Sequence, residues 1–187
     1  MASEAAEVRS VGGLIGAIAA GARPRYVFFW GHTPKRAGQL DSACFSQWWP
    51  AEFEADGHQF GSAEHYMMWR KARLFDDEVK AAEIVTARSP AHAKALGRGV
   101  ANFDDAVWEQ HRWDIVVAGS VAKFGGDPEL RDYLVATRRR VLVEASPVDR
   151  IWGVGLAAES DHAASPRDWR GLNLLGFALM EARERIA

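Results

Sequence analysis

Helix-start signals follow one another so closely between Ser62 and Pro128 that this stretch has room for little but short helices. Ser62 stands where an N-cap would, Asp76 precedes a second start, and Ser89-Pro90 places proline in a first turn. Asp104 or Asp105 opens the longest helix, expected to reach Phe124 and to end at Gly125-Gly126. Asp127-Pro128 begins another, expected to run to Arg140. A last helix is expected over 174–186, where Leu175, Leu179 and Ile186 share one face. Ser10 caps a further short helix ending at Gly21, behind a frayed tail over residues 1–9. Strand signals are few. Tyr26 to Trp30 and Val141 to Glu144 are β-branched or aromatic runs, and Asp56-Gly57 suits a tight hairpin between Phe53 and Phe60. The expected fold is mainly α with a few short β-strands, α+β and helix-rich: a tail and short helix over 1–25, then a single working domain over 26–187.

The totals remove several function classes. At 187 residues, 48% of them hydrophobic and 26% charged, the chain can bury one soluble core. A net charge of −2 gives the whole molecule no electrostatic reason to bind nucleic acid or an acidic membrane. The apolar run from Leu14 to Ala20 is far shorter than the roughly 20 residues of a membrane span. Glu4 and Glu7 precede it where an export signal would be positive, so the cytoplasm is the default compartment. Cys44 stands alone, which excludes an internal disulfide, and it reads as a small buried hydrophobe. The six histidines lack metal-ligand spacing, and the dinucleotide, phosphate-loop, zinc-protease and serine-hydrolase signatures are missing. No metal and no cofactor is expected. Eight tryptophans remain to be explained; most would fill the core, and any at a pocket could stack on a nucleobase.

Among the acidic residues Glu64 stands out. Behind the Ser62 cap it is the second residue of a helix, where free amides and the helix dipole favour an anion. Position alone makes it a surface residue that compensates the dipole. Its neighbours Tyr66, Met67, Met68 and Trp69 are too apolar for a solvated helix and point instead to a carboxylate at the mouth of an aromatic pocket. Such a group suits cleavage of a ribosyl C–N bond, whose transition state carries positive charge on the sugar, as in glycosidases. The dipole argues that Glu64 is ionised at neutral pH, for cation stabilisation or base catalysis.

Several strings, in order, resemble the YbiA/NADAR family. They are Phe28-Phe29-Trp30, Ser62-Ala63-Glu64-His65-Tyr66 with Lys71, Ala95-Leu96-Gly97-Arg98, Trp108-Glu109, Ala122-Lys123-Phe124 with Glu129-Leu130-Arg131, Asp149-Arg150-Ile151-Trp152-Gly153, and Gly171 to Gly176. The resemblance runs from Tyr26 to the C-terminus. It implies a single-domain YbiA-like fold and N-glycosidase chemistry on phosphorylated ribosylamino-pyrimidine intermediates of riboflavin synthesis, which removes reactive compounds. Other branches act on ADP-ribose attached to guanine in DNA, so DNA is a partner only under that reading; a third reading is a non-catalytic module that binds ADP-ribose.

Carried over residue by residue, the resemblance makes Glu64 and Asp149 the catalytic candidates. Phe29, Trp30, Lys71, Arg98, Trp108, Trp152, Gly153 and Asn173 are then the substrate-binding ones. Each has a plainer reading: a salt bridge to Arg150 for Asp149, core packing for Trp108, an N-cap for Asn173, a solvated helix residue for Lys71. Arg98 lies between Gly97 and Gly99, which would open a place for phosphate, and Gly153 would let a ligand approach the backbone. Arg138-Arg139-Arg140 reads as a solvated helix end, or as a basic patch for nucleic acid. Two departures concern substrate: Leu174 stands where the family is often basic, and the 154–170 segment is longer than in compact members and could form a lid.

Overall fold

The computed structural model describes residues 8–187, so most of the tail expected over 1–9, with Glu4 and Glu7, lies outside the described residues. The chain runs α1 (Val11–Ala19), β1 (Tyr26–Phe29), β2 (Phe53–Ala55), β3 (His58–Phe60), α2 (Ala63–Leu74), α3 (Glu78–Val85) and α4 (Pro90–Arg98). It continues through α5 (Asp105–Gly126), α6 (Pro128–Val135), β4 (Val141–Glu144) and α7 (Leu174–Ile186). Single 3-10 turns occupy Ser42–Phe45 and Pro166–Asp168. Among the described residues no helix is long and apolar enough to cross a membrane.

The caps explain the boundaries. Ser10, Ser62, Ser89 and Asp104 each accept the amide three residues on. Asp77, one residue later than expected, does so for α3, because Asp76 is held left-handed at φ 56°. At the β2–β3 turn Asp56 and Gly57 both have positive φ, the pairing that a two-residue hairpin needs.

Two ends differ from expectation. α5 continues through Gly125 and Gly126. What stops it is Asp127, extended because it precedes proline; its carboxylate then caps α6 through the amides of Glu129 and Leu130. α6 ends at Val135, five residues early. The Thr137 hydroxyl donates to Leu134 O (2.6 Å), Arg138 turns left-handed, and Arg140 caps the helix by donating to Ala136 O and Thr137 O. The three arginines are therefore a turn and not a helix end.

β1 and β4 pair in parallel, Tyr26 opposite Val141 and Phe29 opposite Glu144, although 115 positions separate the partners. Everything from β2 to α6 is the crossover between them. β4 is buried except at its last residue, and α7 packs directly on it. The approach is so close that a Cβ on Gly176 would lie 2.1 Å from Leu142 O, so no larger residue fits there without moving the helix. α5 packs against both α2 and α7 and completes the core.

Candidate active site

The carboxyl ends of parallel strands are where α/β folds leave room for a ligand, because the flanking connections diverge there. Here that end, with the first turns of α2, bounds a cavity of about 220 Å³. Glu64, Met67, Met68 and Lys71 reach it from one face of α2, their spacing of three, four and seven being the helical repeat. Lys94, Gly97 and Arg98 do the same from α4. Trp108 enters from the start of α5, Glu144 from the end of β4, and Asp149 and Trp152 from the loop that follows. Ser46, Gln47 and Trp48 complete the wall. That last segment is held by Lys123, a buried lysine of α5 whose Nζ donates to Cys44 O (2.6 Å) and Ser46 O (2.8 Å). Burial lowers the Lys123 pKa to about 7 and raises that of the Cys44 thiol to about 12, so Cys44 is no nucleophile.

Glu64 is 2% exposed. Its Oε1 has no hydrogen-bond partner and no solvent contact, and the Trp48 indole lines the same cavity. Burial raises its pKa from 4.5 to about 7; Lys94, the polar Trp48 N–H and Arg98 oppose the rise and Asp149 adds to it. The expectation of full ionisation at neutral pH is thus corrected. A helix dipole contributes on the order of 0.3–1 kcal/mol at an exposed site, whereas removing a carboxylate from water costs several times more. Burial wins.

The neighbouring Ser62 and His65 are structural. His65 Nε2 lies 3.1 Å from Ala87 O, an acceptor, so that nitrogen carries the proton and Nδ1 accepts from the Ser62 hydroxyl at 2.7 Å. The imidazole is neutral, and burial lowers its pKa.

Three tryptophans (48, 108 and 152) and three cations face the same space. Lys71 Nζ donates to Gly97 O (2.8 Å), lies 4.0 Å from the Phe103 ring centroid and 5.8 Å from that of Trp108, and keeps two N–H groups for a ligand. Burial lowers its pKa. Lys94 sits 5.7 Å from the Trp48 ring. Arg98 is exposed in the last turn of α4 and makes no ion pair within 4 Å among the described residues. Asp149 Oδ1 accepts the amides of Ile151 and Trp152, both at 2.8 Å, and so sets the Trp152 ring; the salt-bridge reading with Arg150 has no counterpart here.

Four expected residues do not line this cavity. Phe29 is a core residue packed edge-on against Phe45, and Trp30 is 60% exposed beyond the end of β1. At Gly153 the space a Cβ would need is filled by Glu144 O, 2.8 Å away, so that glycine serves backbone packing. Asn173 is no N-cap. Left-handed at φ 52° and fully buried, it accepts from the Glu144 amide (2.9 Å) and donates to Leu142 O (2.9 Å), joining α7 to β4. Gly97 also has a packing role, since a Cβ there would meet Met68 Sδ at 2.2 Å.

Glu144, Lys94 and Trp48 were missed. Glu144 read as a strand end, and only its place as the charged last residue of an apolar run hinted at more. Nothing from 154–170 lines the cavity: Trp169 donates to Ala163 O and packs edge-on against Tyr26, and the 166–168 turn rests on α1. The first amides of α7 are occupied too, Leu174 N–H by Ile151 O and Leu175 N–H by Trp152 O. A roomier cleft of about 630 Å³ between α2 and α5 has its arginines already paired, Arg70 with Asp56 and Arg73 with Glu78.

Known proteins place this arrangement. The NADAR domain matches residues 28–187. The N-glycosidase R617 of Acanthamoeba polyphaga mimivirus is 41% identical over 165 residues, 86% of this chain and 95% of that protein. The N-glycosidase YbiA of Escherichia coli is 34% identical over 139 residues, covering 74% and 77%. The maize chloroplastic riboflavin biosynthesis protein PYRR is 36% identical over 108 residues, 56% of this chain and 16% of that protein. The NMR structure of E. coli YbiA superposes with a TM-score of 0.67 at 29% identity, over 88% of this chain and 86% of that one. A domain match over most of the chain, with close relatives and a shared fold, shows that this chain belongs to the NADAR domain family.

Proposed function

We propose that this chain is an N-glycosidase that hydrolyses the C–N bond between a phosphorylated ribosyl group and a pyrimidine amine, with riboflavin-pathway ribosylamino-pyrimidines as substrates. The observation that carries the reading is the unpartnered, buried Glu64 oxygen in a cavity walled by three indoles and rimmed by three cations. The names of the R617 and YbiA relatives support the bond class, and that of the maize relative supports the riboflavin connection.

The roles follow from the positions. Trp48, Trp108 and Trp152 hold the flat base, and Lys71 and Arg98 hold the phosphate. The Glu64 carboxylate stabilises positive charge at the anomeric carbon and takes a proton from the attacking water. Asp149 acts beside it by setting Trp152 and by its own negative charge. Since only ionised Glu64 can do this work, kcat/KM should rise as pH increases through about 7.

Incubation with a ribosylamino-pyrimidine 5′-phosphate should release ribose 5-phosphate and free base in equal amounts. Release of ADP-ribose from ADP-ribosylated guanine alone would move the substrate to the other branch, and saturable binding without product would leave a reader domain. Lys71→Met should raise KM for the phosphorylated substrate on the order of 10- to 100-fold, the value of a charge-assisted hydrogen bond, and leave the dephosphorylated nucleoside almost unchanged. Equal losses on both would remove Lys71 from the phosphate site.

A further inference from the structure

The cavity contains a second carboxylate in the same condition as the first. Glu144 Oε2 has no hydrogen-bond partner and no contact with solvent. Among the described residues the same holds for Glu64 Oε1 and Glu181 Oε2, and Glu181 Oε2 is ion-paired with Arg9. Glu64 and Glu144 are therefore the pair that line one cavity and each have an oxygen sealed from solvent and unsatisfied. Such atoms are costly and need a reason. The fold also fixes where Glu144 stands: its amide donates to Asn173 Oδ1 (2.9 Å) and its carbonyl accepts from Val154 N–H (2.9 Å).

We infer that Glu144 is the proton donor to the departing base, working across the cavity from Glu64; this rests on the N-glycosidase reading above. In the step, the bond from the anomeric carbon to nitrogen breaks and its electron pair goes to the nitrogen, which takes the Glu144 proton. Water oxygen bonds the same carbon and gives its proton to the Glu64 carboxylate. The products are the free sugar and the neutral base, with Glu64 protonated and Glu144 ionised. Solvent exchange returns the proton to Glu144. An amine bound to a pyrimidine is a poor anion, so a donor is required for it to leave.

Electrostatics support the division. Two buried carboxylates lining one cavity cannot both ionise easily and titrate as a unit. The groups facing them are Lys94 and Arg98 from α4, Lys71 from α2 and Asp149 from the loop after β4. Burial raises Glu144 to about 8, with Asp149 and Glu64 adding to the rise and Lys94 opposing it, against about 7 for Glu64. Both carboxyls are thus held toward the protonated form, and Asp149 and Glu64 beside Glu144 favour its keeping the proton that the pair shares.

The test is Glu144→Gln beside Glu144→Asp, assayed with a ribosylamino-pyrimidine 5′-phosphate across pH. The glutamine variant should lose kcat on the order of 10²- to 10⁴-fold, the range for removal of a general acid, with KM changed only a few-fold. Its profile should lose the alkaline limb and keep the acidic limb that belongs to Glu64. Aspartate, still an acid but shorter, should recover part of the loss. Infrared spectroscopy of the free protein at neutral pH should show a protonated-carboxyl band that the glutamine variant lacks. Retention of kcat within a few-fold, an effect confined to KM, or an alkaline limb that persists in the glutamine variant would overturn the assignment alone. A wild-type protein without turnover on any N-ribosyl compound would remove the N-glycosidase reading and this one with it, even where the infrared band showed the shared proton.

Discussion

Glu64→Gln should lower kcat by roughly a thousand-fold, within the range for loss of a positioned carboxylate, and should make the protein more stable above neutral pH. The second effect follows from linkage. Glu64 rises from 4.5 to about 7 on folding, so the folded protein binds that proton more tightly than the unfolded chain. Its stabilising contribution is complete below 4.5 and is lost as pH rises through 7. Above that, an ionised carboxylate stays buried at a cost on the order of a few kcal/mol. Glutamine is neutral throughout and keeps the shape of the side chain. Thermal unfolding should give a midpoint several degrees above wild type at alkaline pH, an advantage that vanishes near pH 4. Opposite signs for activity and stability mark a site where function holds an unfavourable group in place. Survival of turnover within a few-fold, together with an unchanged midpoint at every pH, would make Glu64 an ordinary buried residue.

Asn173→Ala should destabilise the protein by about 4 kcal/mol. The substitution leaves the Glu144 amide and Leu142 O without their buried partner, each on the order of 1–3 kcal/mol. It also puts alanine at φ 52°, which asparagine tolerates better, for about 1 kcal/mol more. Asn173→Gly separates the two causes, because glycine relieves the backbone but restores neither hydrogen bond; it should recover only the smaller part. Denaturant midpoints at constant slope give the comparison. Because one bond ends on the amide of Glu144, activity of the folded fraction should fall as well. A loss below about 1 kcal/mol would mean that the α7–β4 junction is held by packing alone, through contacts such as Gly176 against Leu142 O.

The helices were legible because their signals are local. A serine or aspartate cap acts on an amide three residues away, and Ser62, Ser89-Pro90, Asp104 and Asp127-Pro128 work as caps without help from the rest of the chain. Local reasoning failed where distant groups intervene. α6 ends early where Arg183 of α7 reaches the turn, donating to Thr137 Oγ1 and Arg140 O. Asn173 looked like a cap because it precedes a helix, yet its side chain turns to β4 instead.

The cavity divides the same way. By itself the sequence determined the helix starts, the helix-rich class and one carboxylate worth attention, since each depends on neighbours within a turn or two. It also contained the family strings, which grouped Glu64, Lys71, Arg98, Trp108, Asp149 and Trp152 with Phe29, Trp30, Gly153 and Asn173; the first six line the cavity and the last four do not. Only the tertiary structure decided which further residues meet them. The parallel pairing of β1 with β4 brings Glu144 to the cavity that Glu64 lines, and Lys123 holds the backbone at Ser46, two residues before Trp48, across 77 positions of sequence. It also decided protonation. A helix dipole is a local field that can be read from position, whereas desolvation depends on everything that closes over the carboxylate, and for Glu64 the second is the larger.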